Sequence, residues 1–113
     1  MPHRREHGGH RAHPEGSGGR LKMNKETKIR IHEIMLTIRK FEERALGLFH
    51  ENRLRGSVHL SIGQEAVAAT IGAYLRKDDY ITTTHRGHGH SIAKGATPDR
   101  AMAELMGKET GYC

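Results

Sequence analysis

The sequence predicts a mainly α chain of three helices and one short strand. Three observations predict it. Apolar residues recur at three- and four-residue steps from Ile31 to Phe49, small residues crowd a second stretch around Ala68 and Ala69, and Thr97 followed by Pro98 opens a third. Steps of three and four keep side chains on one face of a helix, whereas a strand would alternate.

Residues 1–22, "MPHRREHGGHRAHPEGSGGRLK", hold five Gly, two Pro and one large aliphatic residue, Leu21. That composition cannot bury enough surface to offset the entropy of ordering, so a disordered tail is expected. His3, His7, His10 and His13 could hold a metal loosely, though a solvated tail is the simpler reading. No apolar centre follows the charges, so the tail is not a secretory signal. Met23 offers a second start.

The first helix is expected over residues 27–52, with Ile31, Ile34, Met35, Ile38, Phe41, Ala45, Leu48 and Phe49 forming its apolar stripe. Arg39, Lys40, Glu42, Glu43 and Arg44 are expected on its solvated face. Gly56 and Gly63 then interrupt, and Ser61 stands at capping-box spacing before Gln64. A second helix is expected over residues 63–75, where Ala66, Ala68, Ala69, Gly72 and Ala73 permit close packing. "RKDD" reads as a turn, and "YITTT", residues 80–84, as the strand by its β-branched content. The third helix starts from Thr97 as N-cap with Pro98 in its first position and stops at Gly107. One strand and three helices do not close a core, so residues 23–113 are expected to be the front of a larger protein.

Composition narrows the function classes. Of 113 residues, 35% are apolar and 4% aromatic, and the net charge of +6 divides evenly between the first 22 residues and the rest. The globular part is thus only mildly basic and poor in stacking aromatics, which argues against a nucleic-acid partner. The longest apolar-rich run, "AVAATIGAYL", is too short to span a membrane. The lone Cys113 excludes an internal disulfide.

The densest chemistry lies in "ITTTHRGHGHSIAKG", residues 81–95. His85, His88 and His90 have metal-ligand spacings, but no Cys or carboxylate joins them nearby, and no metal ligand is assigned. A phosphate cradle is the second reading. Arg86 offers a bidentate fork, Gly87 and Gly89 would let backbone approach a ligand, Lys94 adds charge, and the loop follows a strand end. A polar loop without a special task is the third. Spacing alone leaves all three open.

Three longer blocks carry a resemblance: "RGSVHLSIGQEA", "DDYITTTHRGHGH" and "MAELMGKETGYC". With them, residues 30–113 resemble the start of the alpha subunit of the thiamine-diphosphate-dependent 2-oxo acid dehydrogenases, the decarboxylating component of the pyruvate, branched-chain and acetoin complexes. The resemblance implies an N-terminal part of an α/β thiamine-diphosphate-binding fold with a parallel sheet. It implies that His85 and Arg86 bind the cofactor diphosphate and that His59 is the catalytic histidine facing the 2-oxo acid. It further implies Mg2+, held by a GDG motif and a downstream Asn beyond residue 113. The implied partners are a beta subunit in a heterotetramer and a lipoyl acyltransferase core, in a bacterial cytoplasm. The implied activity is decarboxylation of a 2-oxo acid, pyruvate first, with transfer of the acyl unit to a lipoyl group. Acetoin cleavage is the alternative within the family, and a small His-rich metal-binding module the alternative outside it. Residues 1–113 alone are expected to be an inactive fragment.

Overall fold

The computed structural model describes residues 23–113. The disordered tail expected for residues 1–22, with its four histidines, lies outside the described residues. Four helices follow in order: α1 (Lys25–His50), α2 (Glu65–Tyr74), α3 (His88–Ala93) and α4 (Pro98–Leu105).

Helix α1 begins two residues earlier than its apolar stripe suggests, because Asn24 caps it. The Asn24 side chain accepts from the Thr27 N–H at 2.8 Å, a contact worth about 1 kcal/mol. The helix stops where Asn52 turns left-handed at φ 57. There the Asn52 and Arg53 N–H groups close back on the Phe49 and Leu48 carbonyls. Helices α3 and α4 end the same way at Gly95 (φ 112) and Gly107 (φ 65), as the sequence predicts for Gly107. Pro98 occupies the first turn of α4 behind Thr97, also as expected.

Helix α1 is the spine, and α2, α3 and α4 all pack on it. Ile38, fully buried, and Phe41 meet Ala68 of α2, Ile92 and Ala93 of α3 and Ala101 of α4 in one apolar cluster. Truncating Ile38 to Ala there would cost about 2–5 kcal/mol. Ala45, Leu48 and Leu54 form a second cluster, with Val58 and Leu60 against it. The small residues of α2 do what small residues permit. A Cβ on Gly72 would stand 2.6 Å from the Ala93 Cβ, so α2 and α3 touch almost backbone to backbone.

Three expectations need correction. The strand does not form: residues 80–84 carry no ladder, and no strand occurs among the described residues. β-branched residues favour a pleated backbone only when another strand accepts its hydrogen bonds. The helix count rises to four, since α3 forms from "HGHSIA" despite its glycine. Gly89 is what admits it: a Cβ there would meet the Ile38 Cγ2 at 3.3 Å and the Ala68 Cβ at 3.7 Å, so the bare backbone seats against α1 and α2. Finally, Ser61 and Gln64 form no capping box. Helix α2 starts at Glu65 without a side-chain cap, and Ser61 bonds elsewhere.

Candidate functional site

Two connecting segments carry the chemistry: the one entering α2 and the one entering α3. The first is anchored by two carboxylates, one of which, Glu42, the sequence reading places on a solvated face. Glu42 of α1 is 1% exposed. It accepts from the Ser61 N–H and from the Ser61 hydroxyl, the latter at 3.0 Å. Glu65, at the start of α2, is also buried. It ion-pairs with Arg39 and accepts from the Gly63 N–H at 3.0 Å. The Arg39 hydrogen bond, against the cost of burial, holds the Glu65 carboxyl down at about 2. Its counterpart is a raised Arg39, chiefly through the same hydrogen bond. Residues 61–65 are therefore gripped at Ser61, Gly63 and Glu65 by two buried acids.

Just before this grip stands His59, exposed, between Val58 and Leu60, which pack on the second apolar cluster. Its ring meets the ring of His85 edge-on, with centroids 4.9 Å apart and planes at 84°. The two residues are far apart in sequence, and the fold brings them together. Arg86 follows directly. Its guanidinium is exposed and makes no hydrogen bond or ion pair among the described residues. It lines a groove of about 180 Å³ together with Ser61, Gln64, Thr84 and His90. The arrangement offers an unpaired cation with hydroxyl and amide donors beside it, and, on the adjoining stretches of chain, the His59–His85 pair of imidazoles. Such a set suits an anionic ligand held at one end and proton movement at the other.

Other parts of the "THRGHGH" loop behave differently from their expected roles. Gly89 seats against the core and also lines the Arg86 groove, while a Cβ on Gly87 would stand 2.5 Å from the Thr83 Oγ1, so Gly87 makes room for the chain itself. Lys94 turns away to the end of α2, where its ammonium donates to the Arg76 and Lys77 carbonyls. The three histidines of the metal reading separate: His85 meets His59, His88 meets Phe41 at 5.8 Å between ring centroids, and His90 lines the groove. No three His, Cys, Asp or Glu side chains gather at metal-binding distance among the described residues.

A separate cavity of about 240 Å³ lies where α3 faces α4, lined by His88, Ser91, Ala96, Ala101, Glu104 and Tyr112. The Thr97 N–H donates to the Tyr112 hydroxyl at 2.8 Å, and the Arg100 guanidinium lies 4.2 Å from the ring centroid. Hydrogen bonding to Thr97 lowers the Tyr112 phenol from its ordinary value. None of His59, His85 or Arg86 reaches this cavity. Among the described residues, no helix is long and apolar enough to cross a membrane.

Residues 33–113 match the family described as the dehydrogenase E1 component. The chain belongs to that family. The resemblance carried by the three sequence blocks is thus confirmed at the level of the family. This E1 chain is 48% identical over 93 residues to the alpha subunit of an acetoin:2,6-dichlorophenolindophenol oxidoreductase of Bacillus subtilis, covering 82% of this chain and 28% of that protein. It is 45% identical over 93 residues to the subunit of the same name from Cupriavidus necator, with the same coverage. It is 40% identical over 93 residues to the alpha subunit of a pyruvate dehydrogenase E1 component of Rickettsia bellii, again covering 82% of this chain and 28% of that protein. The E1 chain therefore spans 28% of the length of these relatives. No solved structure matches it.

Sequence reasoning missed Glu42, Ser61 and the Arg39–Glu65 pair in this E1 chain. One signal pointed to them. Glu42 falls next to Phe41, and Arg39 next to Ile38, so both border the buried stripe rather than the far face of α1.

Proposed function

We propose that this chain is the N-terminal part of the alpha subunit of a thiamine-diphosphate-dependent dehydrogenase. In the proposed reaction the bond between a 2-oxo acid's carbonyl carbon and its carboxylate breaks and carbon dioxide leaves. The acyl unit, with two electrons, passes to the disulfide of a lipoyl group on an acyltransferase core. The observation that carries this reading is the His59–His85 ring contact, with the unpaired Arg86 next to His85 in the chain.

The residues present fit the diphosphate end of the cofactor. Arg86 has an uncommitted fork, and Gln64 and Thr84 supply neutral donors around the same groove. When bound, thiamine diphosphate supplies the electron sink that lets the bond beside a carbonyl break. In this proposal Arg86 binds the diphosphate, His85 flanks it and fixes the His59 ring, and His59 holds or moves a proton at the substrate carbonyl or carboxylate. For Mg2+, no three His, Cys, Asp or Glu side chains gather among the described residues. Its ligands would come from the part of the alpha subunit that this chain does not span.

The α/β fold with a parallel sheet belongs to the same proposal. Residues 80–84 would then pair as a strand of that sheet. Exposed Val67, Ile71 and Tyr74 on α2, with the fully exposed Tyr80, give apolar surface for the remaining subunit or for a beta subunit to cover. A heterotetramer with the beta subunit and a bacterial cytoplasmic setting complete the reading, the latter supported by bacterial relatives.

Acetoin is a second substrate reading, favoured by the 48% and 45% identities to acetoin-type subunits against 40% to a pyruvate-type one. The test is to co-express the alpha subunit containing these residues with a beta subunit, and to follow dye reduction with pyruvate and with acetoin. Turnover that depends on added thiamine diphosphate is expected, and the preferred substrate decides between the two readings. A complex that neither binds the cofactor nor turns over either compound would end the proposal.

A further inference from the structure

Glu42 is among the largest fully buried side chains of the described residues, and it is acidic. Burying a carboxylate is costly, and an apolar side chain of the same size would fill the space with less penalty. What the carboxylate adds is geometry. Its two oxygens take both polar hydrogens of one residue, the Ser61 N–H and the Ser61 hydroxyl. Ser61 lies two residues beyond His59. Between them the chain alternates: Val58 and Leu60 pack on the Ala45, Leu48 and Leu54 cluster, while His59 faces outward to His85. The segment is thus held by apolar contacts along its inner side and by two hydrogen bonds at its end. Slippage of this short alternating piece by one residue would turn His59 inward.

We infer that Glu42 is a positioning residue for His59: by gripping both polar groups of Ser61, it fixes the direction in which the His59 ring points. The inference rests on the proposed role of His59. Arg39, one turn earlier on α1, secures the same turn from its other end through Glu65 and Gly63, so the loop cannot pivot about Ser61 alone.

The experiment uses the assembled alpha–beta protein, with pyruvate and acetoin as substrates. Glu42→Gln keeps the shape but loses one acceptor, and it is expected to lower kcat about tenfold while KM and thiamine diphosphate affinity move less than about twofold. Ser61→Ala, which keeps the carboxylate and removes only the hydroxyl, is expected to fall between Glu42→Gln and wild type. The deciding measurement is a double-mutant cycle with His59→Ala. If Glu42 acts through His59, then Glu42→Gln costs less than about twofold once His59 is gone. If Glu42→Gln does not assemble, the same cycle is run with Ser61→Ala. Equal losses in both backgrounds would overturn the inference, since a merely structural role hurts both alike. An unchanged kcat in His59→Ala would instead sink the role of His59 itself, and is seen before the cycle is closed.

Discussion

The Arg39 guanidinium of α1 and the Glu65 carboxylate of α2 form an ion pair in which the acid is buried and the base is 42% exposed. The pair locks the first residue of α2 to the middle of α1. It also sets a pH dependence.

Glu65 is held at about 2, below the ordinary 4.5, first by the Arg39 hydrogen bond. A depressed carboxyl stabilises the folded state above its unfolded value, and that contribution fades as pH falls toward the folded one. Stability from this pair should therefore be whole above pH 4.5 and decline between about 4.5 and 2. Denaturant melts of wild type and Glu65→Gln across acid pH would check it. The gap between the two proteins should narrow as pH falls, and a constant gap would contradict the account.

Arg86→Ala in the assembled protein should weaken thiamine diphosphate binding on the order of tenfold to a hundredfold, the size of a lost charge-assisted contact at an exposed site. Arg86→Lys should restore only part, because an ammonium lacks the fork. Calorimetric titration of the cofactor reads both. Unchanged affinity in Arg86→Ala would remove Arg86 from the diphosphate site.

His59→Ala should leave cofactor affinity nearly intact and reduce turnover by roughly 10²–10⁴-fold if the ring transfers a proton. His85→Ala should lose less, since it would loosen the ring contact without deleting the His59 imidazole. Steady-state kinetics at saturating cofactor separates the two. A larger effect at His85 than at His59 would reverse their roles.

Gly72 and Gly47 should respond oppositely to alanine. At Gly72 the new methyl would stand 2.6 Å from the Ala93 Cβ and 2.7 Å from the Ala93 carbonyl oxygen, so α2 and α3 must separate. A loss of about 1–3 kcal/mol is expected. At Gly47, inside α1, nothing lies within 4 Å of the new methyl. There alanine should stabilise by about 0.5–1 kcal/mol through helix propensity. Melting both variants beside wild type would show whether the signs differ.

The sequence made α1 legible because one stripe repeats over a long helix, and α4 because Pro98 and Gly107 mark its ends. It hid α3, whose six residues include a glycine and two histidines, because that helix depends on a close seat against Ile38 and Ala68. Residues 80–84 were read as a strand from side-chain type, but a ladder is a property of two segments and only one is present here. Among the site residues, Arg86 stood out by chemistry alone. His59 was singled out through the family resemblance and His85 first as a candidate metal ligand, and their contact could not be read from spacing. Glu42 was misread because its partner, Ser61, lies 19 residues away, and local pattern cannot see a bond of that reach.

The two carboxylate anchors close nested loops: 19 residues from Glu42 to Ser61, inside 26 from Arg39 to Glu65. Closing a loop costs entropy that grows only logarithmically with its length, so most of the cost falls on whichever contact forms first. Once either anchor closes, its neighbour one helical turn away is already near its partner, and the second closes at little further loss. The docking of α2 on α1 should therefore be all-or-none in time as well as in space. During folding, a long-lived species with one anchor made and the other open is not expected, and substitutions at Glu42 and Glu65 should slow refolding together or not at all.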